Sequence, residues 1–334
     1  MSRIYTTKTP SLKATIADIR NLDVKNLSVK GKSVPVSAKH PDDTREVITE
    51  NDMWASKAKV ENGEIIFYTE PIATPVEWKP WNTSITKVEN KKAYIEDSFY
   101  ANIETDKITN ANCFFDNCKA LTSYEGDLLN AESTWGTFGF SSIPSINIKA
   151  PKSKIANTMF ARCNDLKNVV LDLENAVEGW EMFYCCESLE TAEVNLPKIK
   201  NNCDSLFNGC VKLKSFTGDL SSLEDGDEAF NWCLELEDFN SILPNLSEAY
   251  GMFYGCKLSP LSVMNILHSI PSYTEGIHVI DIGINVLPGD NQLLEDFAKE
   301  CATTSWADLK NEFEAKGWTV RWTYCDKDVT NITV

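Results

Sequence analysis

Hydrophobic residues recur along the middle of the chain at a fixed interval, within the unit Phe-x-x-Cys-x-x-Leu. Seven phenylalanines mark the units, and successive ones are 23, 22, 23, 24, 23 and 23 residues apart. A fixed period of this length is the sequence signature of a repeat protein, in which each unit covers the apolar side of the next. The anchor residues of the six regular units are Phe115, Cys118, Phe160, Cys163, Phe183, Cys186, Phe207, Cys210, Phe230, Cys233, Phe253 and Cys256.

The second unit, which begins at Phe138, departs from this pattern. Ser141 stands at its Cys position, Pro144 stands at its Leu position, and the next Phe follows after only 22 residues. We expect this unit to be a weak member of the stack, with curvature or an insertion nearby. In the last unit, Ser259 occupies the Leu position.

Each regular unit continues into a short stretch in which apolar and polar residues alternate with a period of two, as a strand requires. In the third unit, Val169, Leu171 and Leu173 would point inward, while Val170 and Asp172 would point outward. The Met-Phe-x-x-Cys portion is predicted to form a turn of α- or 3₁₀-helix that closes each unit from the other side. Stacked units would then bury their Phe and Leu side chains against one another.

The sequence after the last unit predicts a cap of mixed helices and strands. Ser259 followed by Pro260 is typical of a helix start, and Asp290 and Ser305 are candidate N-caps for two further helices. Strands are predicted at residues 278–282 and 318–324, followed by a polar, mobile tail.

The first hundred residues contain no repeat. A short helix is predicted from Thr9 and a strand at residues 27–30. The pair Asn62-Gly63 favours the tight turn of a hairpin, with its second strand at residues 65–68. The predicted fold class is α+β, a leucine-rich-repeat-like solenoid of about seven units with an α/β C-terminal cap and a small, mostly-β N-terminal module. The predicted boundaries are 1–35 for an N-terminal arm or anchor, 36–108 for the module and N-terminal cap, 109–258 for the solenoid, 259–325 for the C-terminal cap and 326–334 for the tail.

The net charge of −17 argues against nucleic acid and anionic membranes as partners, because both attract basic surfaces. No apolar run approaches the 18 residues of a membrane-spanning helix, so membrane insertion is not expected. The first twenty residues lack the apolar core of a signal peptide, and we therefore expect folding to begin in a cytoplasm.

The eleven cysteines are odd in number and include no CxxC pair. Since six of them share one repeat position, they are predicted to be a buried packing column, with no metal site and no cofactor. The three histidines, His40, His268 and His278, are far apart, and no nucleotide-binding, metalloprotease or hydrolase motif accompanies them. The chain is therefore not expected to be an enzyme, and no catalytic residue is assigned.

Polar residues recur at two outward strand positions, seven and nine residues after each Cys. Parallel stacking would place them in columns with neighbours about 4.8 Å apart. Such a face is either a solvated surface or an acidic recognition strip for sugars, basic partners or Ca²⁺, and exposed aromatic residues beside it would favour sugars. Whether Tyr124, Trp180 or Trp232 lies there is left open. The candidate binding residues are Glu125, Val170, Glu193, Thr217 and Asn240 in the first column, and Asp127, Asp172, Asn195 and Asp219 in the second.

The Phe-x-x-Cys-x-x-Leu unit at a period of 23, together with the closing Lys316-Gly317-Trp318-Thr319-Val320, resembles the BspA-type leucine-rich repeats of bacterial surface proteins and gut phages. The resemblance covers residues 110–325. It implies a curved right-handed solenoid and a role in adhesion or protein–protein binding without catalysis. The degenerate second unit and the missing secretion signal depart from cell-surface members.

The opening Ile4-Tyr5-Thr6-Thr7-Lys8-Thr9, followed by Ser11-Leu12-Lys13-Ala14, resembles the start of virion-associated proteins of crAss-like gut phages. This implies a head- or tail-fibre protein of a virion, assembled in the host cytoplasm as a homo-oligomer. Its N-terminal region would contact other virion proteins, and its repeats would bind a virion partner, a host surface protein or a glycan. The alternatives are a bacterial cell-surface adhesin, an intracellular scaffold and a depolymerase-like enzyme.

Overall fold

A computed structural model describes residues 58–61, 64–67, 85–90, 92–96, 99–102, 105–286, 289–326 and 329–333. The helix predicted from Thr9, the strand at 27–30, the arm at 1–35 and His40 lie outside these ranges. The described residues form mixed sheets with few helices, an α+β arrangement. None of the helices in the described ranges is both long and apolar enough to cross a membrane.

The N-terminal described residues form a six-stranded sheet in the order β1-β2-β5-β4-β3-β6. β1 and β2 pair antiparallel with Glu61 opposite Glu64, which confirms the hairpin predicted around residues 62–63, although the two turn residues are not described. β3 pairs parallel with β6, so this sheet is joined to the first repeat unit. The strands are β1 Ala58–Glu61, β2 Glu64–Phe67, β3 Lys87–Glu89, β4 Lys92–Glu96, β5 Phe99–Asn102 and β6 Ser123–Tyr124.

The next five units contribute one strand each to a parallel sheet in the order β11-β10-β9-β8-β7. Val169, Leu171 and Leu173 are buried while Val170 is exposed, as the alternation predicts. The register is even, so equivalent residues of neighbouring units lie side by side. The strands are β7 Ser145–Lys149, β8 Asn168–Asp172, β9 Thr191–Asn195, β10 Ser215–Thr217 and β11 Asp238–Asn240.

A second ladder of backbone hydrogen bonds runs opposite this sheet, and we call it the turn ladder. In each unit it is formed by the segment from five residues before the repeating Phe to two residues after it. These segments are 110–117 in the first unit and 248–255 in the last. Every second residue donates its N–H to the next unit, as Phe183 does to the carbonyl oxygen of Leu206 (2.9 Å). The residues two before and two after each Phe have positive φ, for example Thr158 (53°) and Arg162 (58°). Local turn bonds are present as well, as from the N–H of Ala161 to the carbonyl oxygen of Thr158 (3.1 Å), but they alternate with the bonds between units. The segment is therefore a series of tight turns, and the predicted turn of helix does not form.

The seven repeating phenylalanines stack in one column between the two ladders, with neighbouring ring centroids 4.6–5.6 Å apart and planes within 12°. Phe138 belongs fully to this column, parallel to the ring of Phe160 within 1°. The second unit is thus not a weak member at its Phe. Because the second unit is one residue shorter, Ile143 fills the buried Leu position there in place of Pro144. In the last unit, Leu258 fills this position in place of Ser259.

The repeat cysteines form a second buried column, as predicted. The thiol of Cys186 donates to the carbonyl oxygen of Phe160 (3.0 Å) in the preceding unit, and Cys163, Cys210, Cys233 and Cys256 make the equivalent bond at 3.0–3.3 Å. Burial raises the pKa of the Cys186 thiol well above its usual value of 9.0. A protonated thiol that already donates a hydrogen bond is a structural group, not a nucleophile.

The C-terminal cap covers the end of both ladders. Helix α1, Pro260–Ser269, has Ser259 as its N-cap and closes the open edge of β11. There the Ser262 hydroxyl accepts a hydrogen bond from the N–H of Phe239 (2.9 Å) and donates one to the carbonyl oxygen of Glu237 (2.8 Å). The hydroxyl thereby takes the place of another strand.

The last row of the turn ladder continues into a four-stranded sheet in the order β12-β13-β14-β15. The two further predicted helices are present, with Asp290 and Ser305 as N-caps. The expected mobile tail is wrong at residues 329–333, which form a strand antiparallel to β14. These elements are β12 Ala249–Phe253, β13 His278–Ile284, α2 Asn291–Glu300, α3 Trp306–Ala315, β14 Trp318–Asp326 and β15 Val329–Thr333.

Candidate functional site

The outward side chains of β7–β11, together with Glu125 and Asp127, form a polar surface that we call the strand face. Thr217 lies directly between Glu193 and Asn240, so the first predicted column is continuous there. The column also contains Asn147, opposite Val170, which the sequence count missed. The buried strand residues on the other side hold these rows in place, since Ile148, Val194 and Phe216 have no exposed surface.

The second column is less acidic than predicted. Lys149 lies opposite Asp172, and its backbone N–H donates to the Asp127 carboxylate (2.9 Å). The next row supplies Asn195, whose Nδ2 donates to Asp172 Oδ1 (2.9 Å), and Asp219 follows in the unit after. The predicted column, which already contained the amide of Asn195, is therefore also interrupted by the cation of Lys149, which relieves the repulsion between like charges.

Lys149 was missed because positions were counted from the Cys position, and the second unit lacks one residue between its Phe and its strand. The interval of 22 residues between Phe138 and Phe160 was the signal that could have revealed it.

A shallow concavity interrupts the strand face between the first and second units. β6 is only two residues long and belongs to the N-terminal sheet, whereas β7 begins the parallel sheet. The chain leaves the β6 row at Gly126, which has φ +139° and where an added Cβ would lie 2.6 Å from Thr105 Oγ1. A residue with a side chain could not make this approach. The concavity is lined by Tyr124, Glu125, Gly126, Asp127, Ser145, Ile146, Asn147, Asn168 and Val170.

An ion pair borders the strand face at its start. The Lys214 ammonium donates to Glu190 (2.8 Å) one unit away and holds the pKa of that carboxyl below its usual value. Both side chains are exposed, so this pair contributes little to stability. It places one positive and one negative group side by side next to β9 and β10.

The three aromatic residues whose location the sequence left open take different positions. Tyr124 is buried, Trp232 is half-buried and Trp180 is exposed. Trp180 belongs to the turn ladder, on the opposite side of the core from the strand face. None of the three therefore supplies an exposed aromatic surface beside the polar columns.

Three carboxylates of the turn ladder, Asp225, Asp227 and Glu248, bring oxygen atoms within 4.8 Å of one another. Asp225 accepts a hydrogen bond from the N–H of Asp227 (3.0 Å), and Asp227 accepts one from the N–H of Tyr250 (2.6 Å). Burial raises the pKa of the Asp227 carboxyl, and the two neighbouring carboxylates raise it further. These hydrogen bonds give both aspartates a structural role within the turns.

The two histidines in the described ranges lie in the C-terminal cap. His268 is exposed on α1. His278 stacks on Tyr273 with ring centroids 3.7 Å apart, and its Nδ1 lies 2.8 Å from the carbonyl oxygen of Ser247. His278 thus joins the cap to the last repeat unit.

Comparison with known families finds six copies of a model described as the BspA type leucine rich repeat region, over residues 90–203 and 179–274. Together these ranges span 185 of the 334 residues. No curated protein and no solved structure gave a significant match. The family model counts six copies, whereas seven phenylalanine rings stack in the column.

Proposed function

Because the chain belongs to the BspA-type leucine-rich repeat family, we propose that it acts by binding another macromolecule through its strand face, as an adhesin or interaction protein without catalytic activity. The observation that supports this most directly is the continuous register of β7–β11. It sets polar side chains in fixed columns over a fully buried core, and a surface that is ordered before binding loses little entropy on association.

The chemistry of the strand face favours a protein partner with basic and amide groups. Carboxylates at Asp127, Asp172 and Glu193 would accept hydrogen bonds from lysine or arginine. The exposed Val170 beside the concavity offers a small apolar contact. The net charge of −17 would steer a basic partner toward the chain and repel anionic ones.

The finer proposal concerns where this binding takes place. We propose a structural and attachment protein of a phage virion, with the N-terminal region anchored to other virion proteins and several copies in one assembly. The repeat region would then present the strand face to a virion partner or a host receptor. The proposed role in a virion is supported by the similarity of residues 4–14 to the start of virion-associated phage proteins. The second candidate is a bacterial cell-surface adhesin, which the repeat family itself favours.

Two measurements test these proposals separately. Mass spectrometry of purified particles from a phage that encodes the chain tests the virion role, and absence of the chain would overturn it. Fluorescently labelled protein titrated onto host cells tests the strand face. Binding should fall at least tenfold for Asp172→Asn combined with Glu193→Gln.

Glu187→Gln is the matched control, because Glu187 is an exposed acid outside the strand face. Equal binding by the wild type and the double variant would show that another surface is used. Turnover of host capsule polysaccharide by the purified wild-type protein would overturn the proposal of a non-catalytic role.

A further inference from the structure

The first four members of one column of the turn ladder alternate between amide and aromatic side chains. This column consists of the residues three positions before each repeating Phe, and its second to fourth members are Trp135, Asn157 and Trp180. Trp135 is 46% exposed and Trp180 is 45% exposed, whereas Asn157 is half-buried. In the described part of the chain, no second aromatic ring covers either indole.

The backbone of both tryptophans is held by the unit before it. Asn112 Oδ1 accepts a hydrogen bond from the N–H of Trp135 (3.1 Å), and Asn157 Oδ1 accepts one from the N–H of Trp180 (3.0 Å). Their carbonyl oxygens accept from Cys113 and Thr158, both at 2.8 Å. The two indoles therefore rise from a rigid ladder, and a ligand would not have to order a loop to reach them.

The spacing leaves room between the indoles. Residues of neighbouring units lie about 4.8 Å apart across such a ladder, so the backbones of Trp135 and Trp180 are roughly 10 Å apart. This is too far for the rings to stack on each other. It allows each indole to contact a different ring of one extended ligand, with Asn157 between them. Asn157 Nδ2 already donates to Glu178 Oε2 (3.1 Å), so an amide paired with a carboxylate lies in the unit between the two indoles.

We propose that this column, Trp135-Asn157-Trp180, is a binding site for a neutral glycan chain. Pyranose rings present apolar C–H faces that stack on indoles and hydroxyl groups at their edges that bind amides and carboxylates. Two separated indoles with polar groups between them match that alternation. A binding site for an apolar protein partner would instead cluster its aromatic side chains in one patch. Polyanionic glycans fit less well, since Glu178 and Glu181 lie beside the indoles and the chain carries a net charge of −17.

This site lies on the turn ladder and is independent of the strand face. We would test it by affinity gel electrophoresis in galactomannan, mixed-linkage β-glucan and hydroxyethylcellulose, followed by calorimetry with the matching hexasaccharide. The wild type should be retarded by at least one of these neutral polymers. Trp135→Ala and Trp180→Ala should each weaken binding roughly tenfold, the loss expected for one aromatic stacking contact. Trp180→Phe should recover part of the affinity, because it keeps an aromatic ring.

Two controls separate the outcomes. Val177→Ala removes an exposed apolar side chain near Trp180 that is not aromatic, and it should leave glycan binding unchanged. Asp172→Asn combined with Glu193→Gln alters only the strand face, so it should also bind glycan like the wild type, whatever it does to cell binding. The proposal is overturned if no neutral polymer retards the wild type, or if both Trp→Ala variants bind like it.

Discussion

Replacing Phe183 by Ala tests whether the ring column holds the repeat units together. The Phe183 ring has no exposed surface and stacks on Phe160 (5.2 Å, 3°) and on Phe207 (4.6 Å, 4°). Truncating a buried Phe costs about 3–5 kcal/mol through lost transfer energy and the remaining cavity. That is a large share of a typical unfolding free energy of about 5–15 kcal/mol. Urea unfolding followed by circular dichroism would measure the change.

Phe140→Ala is the matched control, since Phe140 also belongs to the turn ladder but is 46% exposed. We expect this variant to stay within about 0.5 kcal/mol of the wild type. A double-mutant cycle should show coupling between Phe183 and Phe207, which touch, and almost none between Phe183 and Phe253. A loss of less than about 1 kcal/mol for Phe183→Ala, or an equal loss for Phe140→Ala, would show that the ring column does not hold the units together.

Three other predictions follow from single residues. Burial raises the pKa of the Asp116 carboxyl to about 6, so the charged form destabilises the folded protein at pH 7.5. Asp116→Asn should therefore raise the unfolding free energy at pH 7.5, and this gain should vanish as the pH falls through 6 to below 4. Urea titrations at pH 7.5 and below pH 4 would measure both values. At Gly218 an added Cβ would lie 1.9 Å from the carbonyl oxygen of Val194. Gly218→Ala should therefore destabilise the protein by about 2 kcal/mol or more. An unchanged melting temperature would contradict that clash. Because burial raises the pKa of the Cys186 thiol above 9.0, this thiol ionises at a lower pH in the unfolded chain than in the folded protein, and stability should fall as the pH rises past 9. Below pH 9, Cys186 in the folded protein should not react with maleimide. Rapid labelling of Cys186 would contradict its burial.

The spacing of the phenylalanines was enough to predict that the repeating Phe and Cys residues of neighbouring units lie side by side. Both the ring column and the thiol column follow from it, because equivalent positions must align when equal units stack. The helix starts at Ser259, Asp290 and Ser305 were also predictable, since a capping side chain acts within its own turn.

The turn ladder could not be predicted in the same way. Residues such as Thr158 and Arg162 have no local preference for positive φ, and their hydrogen bonds to the next unit help to stabilise that conformation. The position of Lys149 depended on one missing residue, which a count along the chain does not locate. The sequence also did not show whether Trp180 lies beside the strand face or on the opposite side of the core, because it did not reveal which side of each unit forms the turn ladder.

The hydroxyl of Ser262, which closes the edge of β11, limits how such a chain can change over time. A new unit added after the last one would lose this seal and leave the backbone groups of its strand unpaired. Duplication of an interior unit, by contrast, reproduces on both sides the contacts that already exist. The number of units in this lineage is therefore expected to vary by internal duplication or loss, while Ser262 and the residues around it stay with the final strand.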